Sequence, residues 1–339
     1  MKDLLYIDDL RTPCNYIQNH YNIIIARTFW KGYIIHMSNY IETAFMQQRT
    51  DFMKTLPDRR KRFSIPDGVD MYLDIEYVND QNEAHRLDVF RPSESPDKEL
   101  PIIFNVHGGG LIMGCKEFNR YFCARLCKLG YVVFSIEYRL VPEYTFYHQC
   151  TDFFQALRYV QDYGNLYYGK TDEIYGVGDS GGAMLLTYCA AMQNNAEMAA
   201  AAQVSVCPAP LQALGLISGM FYTNRFDQIG LSLPKYLYGT DYKQSDFAPY
   251  VNPTYQKLVQ ALPPCLLVTS KNDNLHHYTT KFEKALTKYN MPHRLLDFPK
   301  NKQLTHAFSV FEPFLPESTQ TIQAIAEYFA EIHEQWIAK

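Results

Sequence analysis

The spacing of apolar positions changes along the chain. Between about residues 15 and 60 they recur every three or four positions. Trp30, Tyr33, Ile34, Met37, Ile41, Ala44 and Phe45 then share one face of a helix. The stretch LPDRRKRFSIPDG reads as a linker whose basic run is a solvated loop. From about residue 71 the pattern becomes that of strands alternating with helices. YLDIEYV and HRLDVFRP flank NDQNEA as an antiparallel hairpin. PIIFNV and YVVFSI are continuous apolar runs, as strands buried on both faces should be. Between them EFNRYFCARLCKLG reads as a helix closed by Gly130, and after them TDFFQALRYVQDYG reads as a second helix. IYGV, AAQVSVC, CLLVTS and HRLLDF follow as strands, with AMLLTYCAAMQNN a helix after the first of them and STQTIQAIAEYFAEIHEQW a closing helix. This alternation predicts an α/β fold with a mostly parallel sheet covered on both faces.

Residues 208–262 break the alternation. They are rich in Pro, Gly and Tyr, and their length points to an inserted subdomain rather than a loop. Four segments are therefore expected: 1–65, N-terminal helices and linker; 66–207, the first part of a core; 208–262, the insertion; and 263–339, the rest of the core.

Composition adds exclusions. Of the 339 residues 47% are hydrophobic and 20% charged, a globular balance, and the net charge of −4 gives no reason to expect a nucleic-acid partner. MKDLLYIDDL has no apolar core of a secretory signal, and YNIIIARTFWKGYIIHM carries Arg27 and Lys31, so no stable membrane anchor is expected. The 8 cysteines are scattered, and Cys123 and Cys127 have no accompanying ligand cluster, so buried thiols, no metal and a cytoplasmic setting are expected.

The chemistry centres on EIYGVGDSGGAMLL. Gly178-Asp179-Ser180-Gly181-Gly182 fits G-x-S-x-G between a strand and a helix. There a serine takes a strained backbone conformation that lifts its hydroxyl above the strand, and glycines avoid collision with the neighbouring elements. A serine needs a base, and the base needs an acid to orient it. Of 10 histidines, His306 in LTHAF lies between the last strand and the last helix, where a loop can reach the serine. His20, His36 and His85 lie outside any such loop, and His276 and His277 read as surface residues. Asp273, just past CLLVTS, is the candidate acid, with Asp297 in LLDFP as the alternative. NVHGGGLIMG follows a buried strand. The N–H groups of Gly109 and Gly110, with that of Gly181, would form an oxyanion hole.

Together HGGG (107–110), YRLVPE (138–143), GDSGG (178–182), DNL at Asp273 and HAF at His306 resemble the hormone-sensitive-lipase-type branch of the α/β-hydrolases over roughly residues 70–339. The resemblance implies an eight-stranded sheet, a Ser-Asp-His triad and a helical cap built from residues 1–65 and 208–262. The chain departs from the family at Gly181, where alanine is usual, at His277, where aspartate is frequent, and at CPAPLQALG, which replaces an aspartate-containing motif.

The expected activity is hydrolysis of carboxylic esters with short acyl or acetyl groups, without metal or organic cofactor. A small-molecule ester is the expected partner, and a second copy of the chain is a further one to consider. A long-chain lipase, amidase or peptidase would use the same triad. A non-catalytic ligand binder on this fold, like the plant gibberellin receptors that resemble the family, would lack the histidine that is present here as His306.

Overall fold

The computed structural model describes residues 40–95 and 97–338 of the chain. The chain divides into two compact units, Met1–Gln47 and Gln48–Lys339. Of the first, residues 40–47 are described and are helical. MKDLLYIDDL and the expected face formed by Trp30, Tyr33, Ile34 and Met37 lie outside the described residues.

The helix that includes residues 40–53 (α1) is followed by α2 (Leu56–Arg62). Eight strands then form one sheet: β1 (Val69–Glu76), β2 (Arg86–Pro92), β3 (Leu100–Val106), β4 (Val132–Ile136), β5 (Gly169–Asp179), β6 (Leu211–Ile217), β7 (Cys265–Ser270) and β8 (His293–Phe298). Between and after them run α3 (Arg120–Cys127), α4 (Phe146–Tyr163), α5 (Ser180–Asn194), α6 (Ala196–Ala202), α7 (Gln228–Ser232), α8 (Pro234–Tyr238), α9 (Gln256–Val259), α10 (His276–Lys288), α11 (Phe308–Phe311) and α12 (Pro316–Ile337).

The strand order is β1-β2-β4-β3-β5-β6-β7-β8. β2 runs antiparallel to β1 and β4, and every other neighbouring pair is parallel. This is an α/β-hydrolase sheet: eight strands, mostly parallel.

Alternation along the strands sorts the core into two layers. Ile103, Val133, Tyr175 and Val177 join one cluster with Phe122 and Leu126 of α3 and Ile322, Ile325 and Phe329 of α12. Their strand neighbours point the other way, where Phe104 meets Phe153 of α4 edge to face at 5.0 Å. Each such side chain, fully buried, contributes about 1.5–3 kcal/mol. The parallel strands all end on one side, so the loops after β3, β5, β7 and β8 converge there, as sites on open α/β sheets require.

Two segments differ from the sequence expectation. The basic run is the last turn of α2, with Pro57 and Asp58 in its first turn and Arg59, Arg60, Lys61 and Arg62 in its last, so the charges complement the helix dipole. Nor is it simply solvated: Arg59 donates to the carbonyls of Phe118, Val310 and Phe311 at 2.9, 3.1 and 2.7 Å. Further on, AAQVSVC is no strand. Its alanines close α6, whose AEMAAAA is a strong helix former, and the strand is Leu211–Ile217 instead. The prolines at 208 and 210 and the interior Gly215 had hidden it. β6 thus lies within the 208–262 segment, and the connection from β6 to β7 is residues 218–264, carrying α7, α8 and α9.

Candidate active site

β5 ends at Asp179 and α5 begins at Ser180 with no intervening loop. A reversal that tight puts Ser180 at φ +50°, a left-handed conformation unusual for serine. Such strain costs about 1–3 kcal/mol and persists only where the surroundings enforce it. Here they do. A Cβ on Gly178 would lie 2.9 Å from the Gly182 carbonyl carbon, and one on Gly182 only 2.3 Å from the backbone oxygens of Val106 and His107. The Met220 N–H also donates to the Ser180 carbonyl at 3.0 Å.

Two loops bring their residues to this turn. His306, after β8, places Nε2 2.8 Å from Ser180 Oγ and Nδ1 2.8 Å from Asp273 Oδ1. Asp273, after β7, accepts from the Leu275 N–H at 2.8 Å and the Thr269 hydroxyl at 3.3 Å. Its side chain is fully buried, whereas that of His306 is 27% exposed, so the imidazole is reachable by a ligand and the carboxylate is not. Burial alone would raise the Asp273 carboxyl. Hydrogen bonds from His306, Ser218 and the Leu275 N–H outweigh it and hold the group below its ordinary value. Ser218 Oγ also accepts from the N–H of Ala307, itself left-handed at φ +50°, which fixes the loop beside His306.

The alternative acid is engaged elsewhere. Asp297 meets His276 Nε2 at 3.1 Å through both carboxylate oxygens. His85 is buried between Asp80 and Asp152, at 2.7 and 3.2 Å, a structural position.

The glycines of HGGG curl over the elbow. Gly109 and Gly110 have φ +116° and +63°, and a Cβ on Gly109 would fall 2.0 Å from the Met113 oxygen. A Cβ on Gly181 would lie 2.9 Å from both the Gly110 and Leu111 nitrogens, so the backbone N–H groups of the two loops converge at Gly181.

Sequence reasoning missed the residues that hold this loop. Asp179, the unspecified position of G-x-S-x-G, accepts from the Gly108 N–H at 3.0 Å and from Asn119 Nδ2 at 2.8 Å. Complete burial raises its carboxyl, and the Asn119 and Gly108 donors oppose that rise. His107 stacks on Tyr138 at 4.4 Å, and the Tyr138 hydroxyl donates to the His107 carbonyl at 2.7 Å. His107 Nε2 meets Glu137 Oε1 at 2.9 Å, and the other Glu137 oxygen accepts from the Lys116 N–H. Burial would lower the imidazole pKa, but Glu137 and the Gly108 carbonyl outweigh it and the net shift is upward. Arg49 braces the same corner, forking onto Glu143 at 2.8 and 2.9 Å and donating to the Val141 and Ile112 carbonyls. In the sequence HGGG, GDSGG and YRLVPE contain His107, Asp179, Tyr138 and Glu143, whereas nothing marked Asn119, Glu137 or Arg49.

Residues 103–309 match the family described as alpha/beta hydrolase fold. A protein of Acanthamoeba polyphaga mimivirus that carries the name of an alpha/beta hydrolase is 28% identical over 225 residues, 63% of each chain. The isoprenylcysteine alpha-carbonyl methylesterase of Arabidopsis thaliana is 26% identical over 198 residues, 56% of this chain and 46% of the relative. The chain thus spans less than two thirds of the length of either relative. Among solved structures, esterase B of Lactobacillus rhamnosis superposes with a TM-score of 0.83 at 21% identity, over 89% of this chain and 98% of that one, a likeness of fold. With the matched family covering more than half of its length, the chain belongs to the α/β-hydrolase fold family, in its hormone-sensitive-lipase-like branch.

Proposed function

We propose that the protein hydrolyses carboxylic esters of short acyl chains through an acyl-enzyme on Ser180. The observation that carries this reading is the unbroken relay from Ser180 Oγ through His306 to Asp273, 2.8 Å at each step. In it, His306 Nε2 takes the hydroxyl proton as Ser180 Oγ attacks the ester carbonyl. The N–H groups of Gly109, Gly110 and Gly181 receive the developing oxyanion. As the tetrahedral adduct collapses, the C–O bond to the alcohol breaks and His306 returns the proton to the alcohol oxygen. Water then attacks the acyl-enzyme by the same route, releasing the acid and restoring Ser180. Asp273 keeps its charge throughout and holds the imidazole with Nε2 facing the serine.

The methylesterase name of the Arabidopsis relative supports a small alcohol as leaving group. The reading further assigns residues 1–65 and the connection after β6 to a cap over the site, needs no metal or organic cofactor, and has a small-molecule ester rather than a nucleic acid as partner. The described cysteines are all free and buried, which supports a reducing, cytoplasmic setting. Among the described residues no helix is long and apolar enough to cross a membrane.

The test is the initial rate on p-nitrophenyl esters from acetyl to palmitoyl, with Ser180→Ala as the blank. A rate highest on short chains and lost in the variant supports the reading. Preference for long chains moves it to a lipase. A profile equal to the blank removes ester hydrolysis and leaves an amide substrate or a binding role.

A further inference from the structure

A second polar site lies on the same side of the sheet, independent of the hydrolytic reading. The connection after β6 and the first turns of α10 line an open cleft of about 560 Å³, bordered by Arg225, Lys281, His277, Asn252 and Thr254. Asp227 is its one acidic lining residue among the described residues. That carboxylate is already committed, accepting from the Tyr278 hydroxyl at 2.6 Å and from the Gly230 N–H at 3.0 Å, with Arg225 Nε at 3.8 Å.

Arg225 shares the Asp227 carboxylate at long range, and both cations lie against aromatic rings. Lys281 Nζ sits 4.6 Å from the ring centre of Tyr222, and the Arg225 guanidinium lies 5.9 Å from that same ring and 5.9 Å from Tyr278. Lys281 has no carboxylate partner among the described residues. Partial burial and then the like charge of Arg225 both lower its pKa, so its charged form lacks compensation. Asn252 adds an oriented donor. Its side-chain oxygen accepts from the Thr254 N–H and hydroxyl at 3.2 and 2.9 Å, which leaves its NH₂ group for a ligand. Two cations and an amide donor thus line one cleft whose single carboxylate already has two hydrogen-bond donors, an arrangement suited to an oxyanion.

A second cavity of about 500 Å³ adjoins the first across Arg225 and Phe226, and Leu231, Tyr242 and Val251 give it apolar walls. Phe226 is 95% and Leu231 65% exposed, and both line this cavity, so they form an apolar patch rather than scattered single residues. Met220 bonds to Ser180, and five residues of chain reach at most about 18 Å, so Arg225 lies within that distance of Met220.

We propose that Arg225, Lys281 and Asn252 bind the carboxylate or phosphate group of a small amphiphilic ligand whose apolar part lies along Phe226 and Leu231. Isothermal titration of the full chain with hexanoate, inorganic phosphate and butyl phosphate at low ionic strength tests this. Hexanoate binding alone assigns a carboxylate ligand, and phosphate and butyl phosphate binding assign a phosphate ester. Either supports the site if Arg225→Gln with Lys281→Gln weakens binding about tenfold or more. Asn252→Asp keeps the Thr254 bonds, replaces the donor with a negative charge and should weaken binding likewise, which guards against misfolding of the double variant. Binding unchanged in both variants, or binding of none of the three probes, overturns the proposal.

Discussion

The Gly108 N–H donates to the Asp179 carboxylate at 3.0 Å across 71 residues of chain, tying the glycine loop after β3 to the nucleophile turn after β5. The residue beside the serine thus anchors the glycine loop that carries the proposed oxyanion donors. Asn119 completes that carboxylate's shell. Asn119→Ala leaves a buried charge one donor short, which should cost about 1–3 kcal/mol in chemical unfolding. It should also lower kcat more than it raises KM, because the displaced donors act on the transition state. An unaltered kcat in a folded variant would separate this network from the glycine loop.

Asp273 and Asp297 both stand at the ends of strands, but only Asp273 touches His306. Asp273→Asn should lower kcat by about 10⁴-fold, since the amide favours the wrong imidazole tautomer. Asp297→Asn should leave kcat within a few-fold of wild type. Steady-state kinetics on one activated ester distinguishes them, and a reversed order would make Asp297 the acid.

Gly181→Ala tests the departure from the family pattern. The new Cβ would sit 2.9 Å from the Gly110 and Leu111 nitrogens, so the glycine loop must retreat. The expected outcome is a fall in kcat of at least about tenfold, short of the 10²–10³-fold for losing a donor outright. A gain in kcat would mean that the loop yields without moving its donors away.

The pH dependence of stability has a definite sign. Asp273 is held below its ordinary value of 3.8, so its contribution is present above that pH and lost as pH falls through the folded-state value. The deficit in melting temperature of Asp273→Asn should therefore be full near neutral pH and shrink below about pH 4. A deficit that grows toward acid would contradict the direction of the shift.

The strand pattern was legible because buried parallel strands write continuous apolar runs, as in PIIFNV and CLLVTS. The meeting of Ser180, Asp273 and His306 could be expected because each lies in the turn or loop that follows a strand, in the chain order Ser-Asp-His of the α/β-hydrolases, and the three side chains do come together. β6 could not, since Pro208, Pro210 and Gly215 imitate a loop and only its neighbours β5 and β7 make LQALGLI a strand. Asn119, Glu137 and Arg49 were equally hidden. Their partners lie 60, 30 and 94 positions away, and no local period records such a pairing.

The proposed mechanism stands on Ser180 as the nucleophile. The measurement that tests it most directly is intact-protein and peptide mass spectrometry after reaction with a p-nitrophenyl alkylphosphonate. The account predicts one phosphonyl group per chain, carried on Ser180, with loss of esterase activity in proportion and no labelling of Ser180→Ala. Labelling of another residue, or ester turnover that survives in Ser180→Ala, would contradict it.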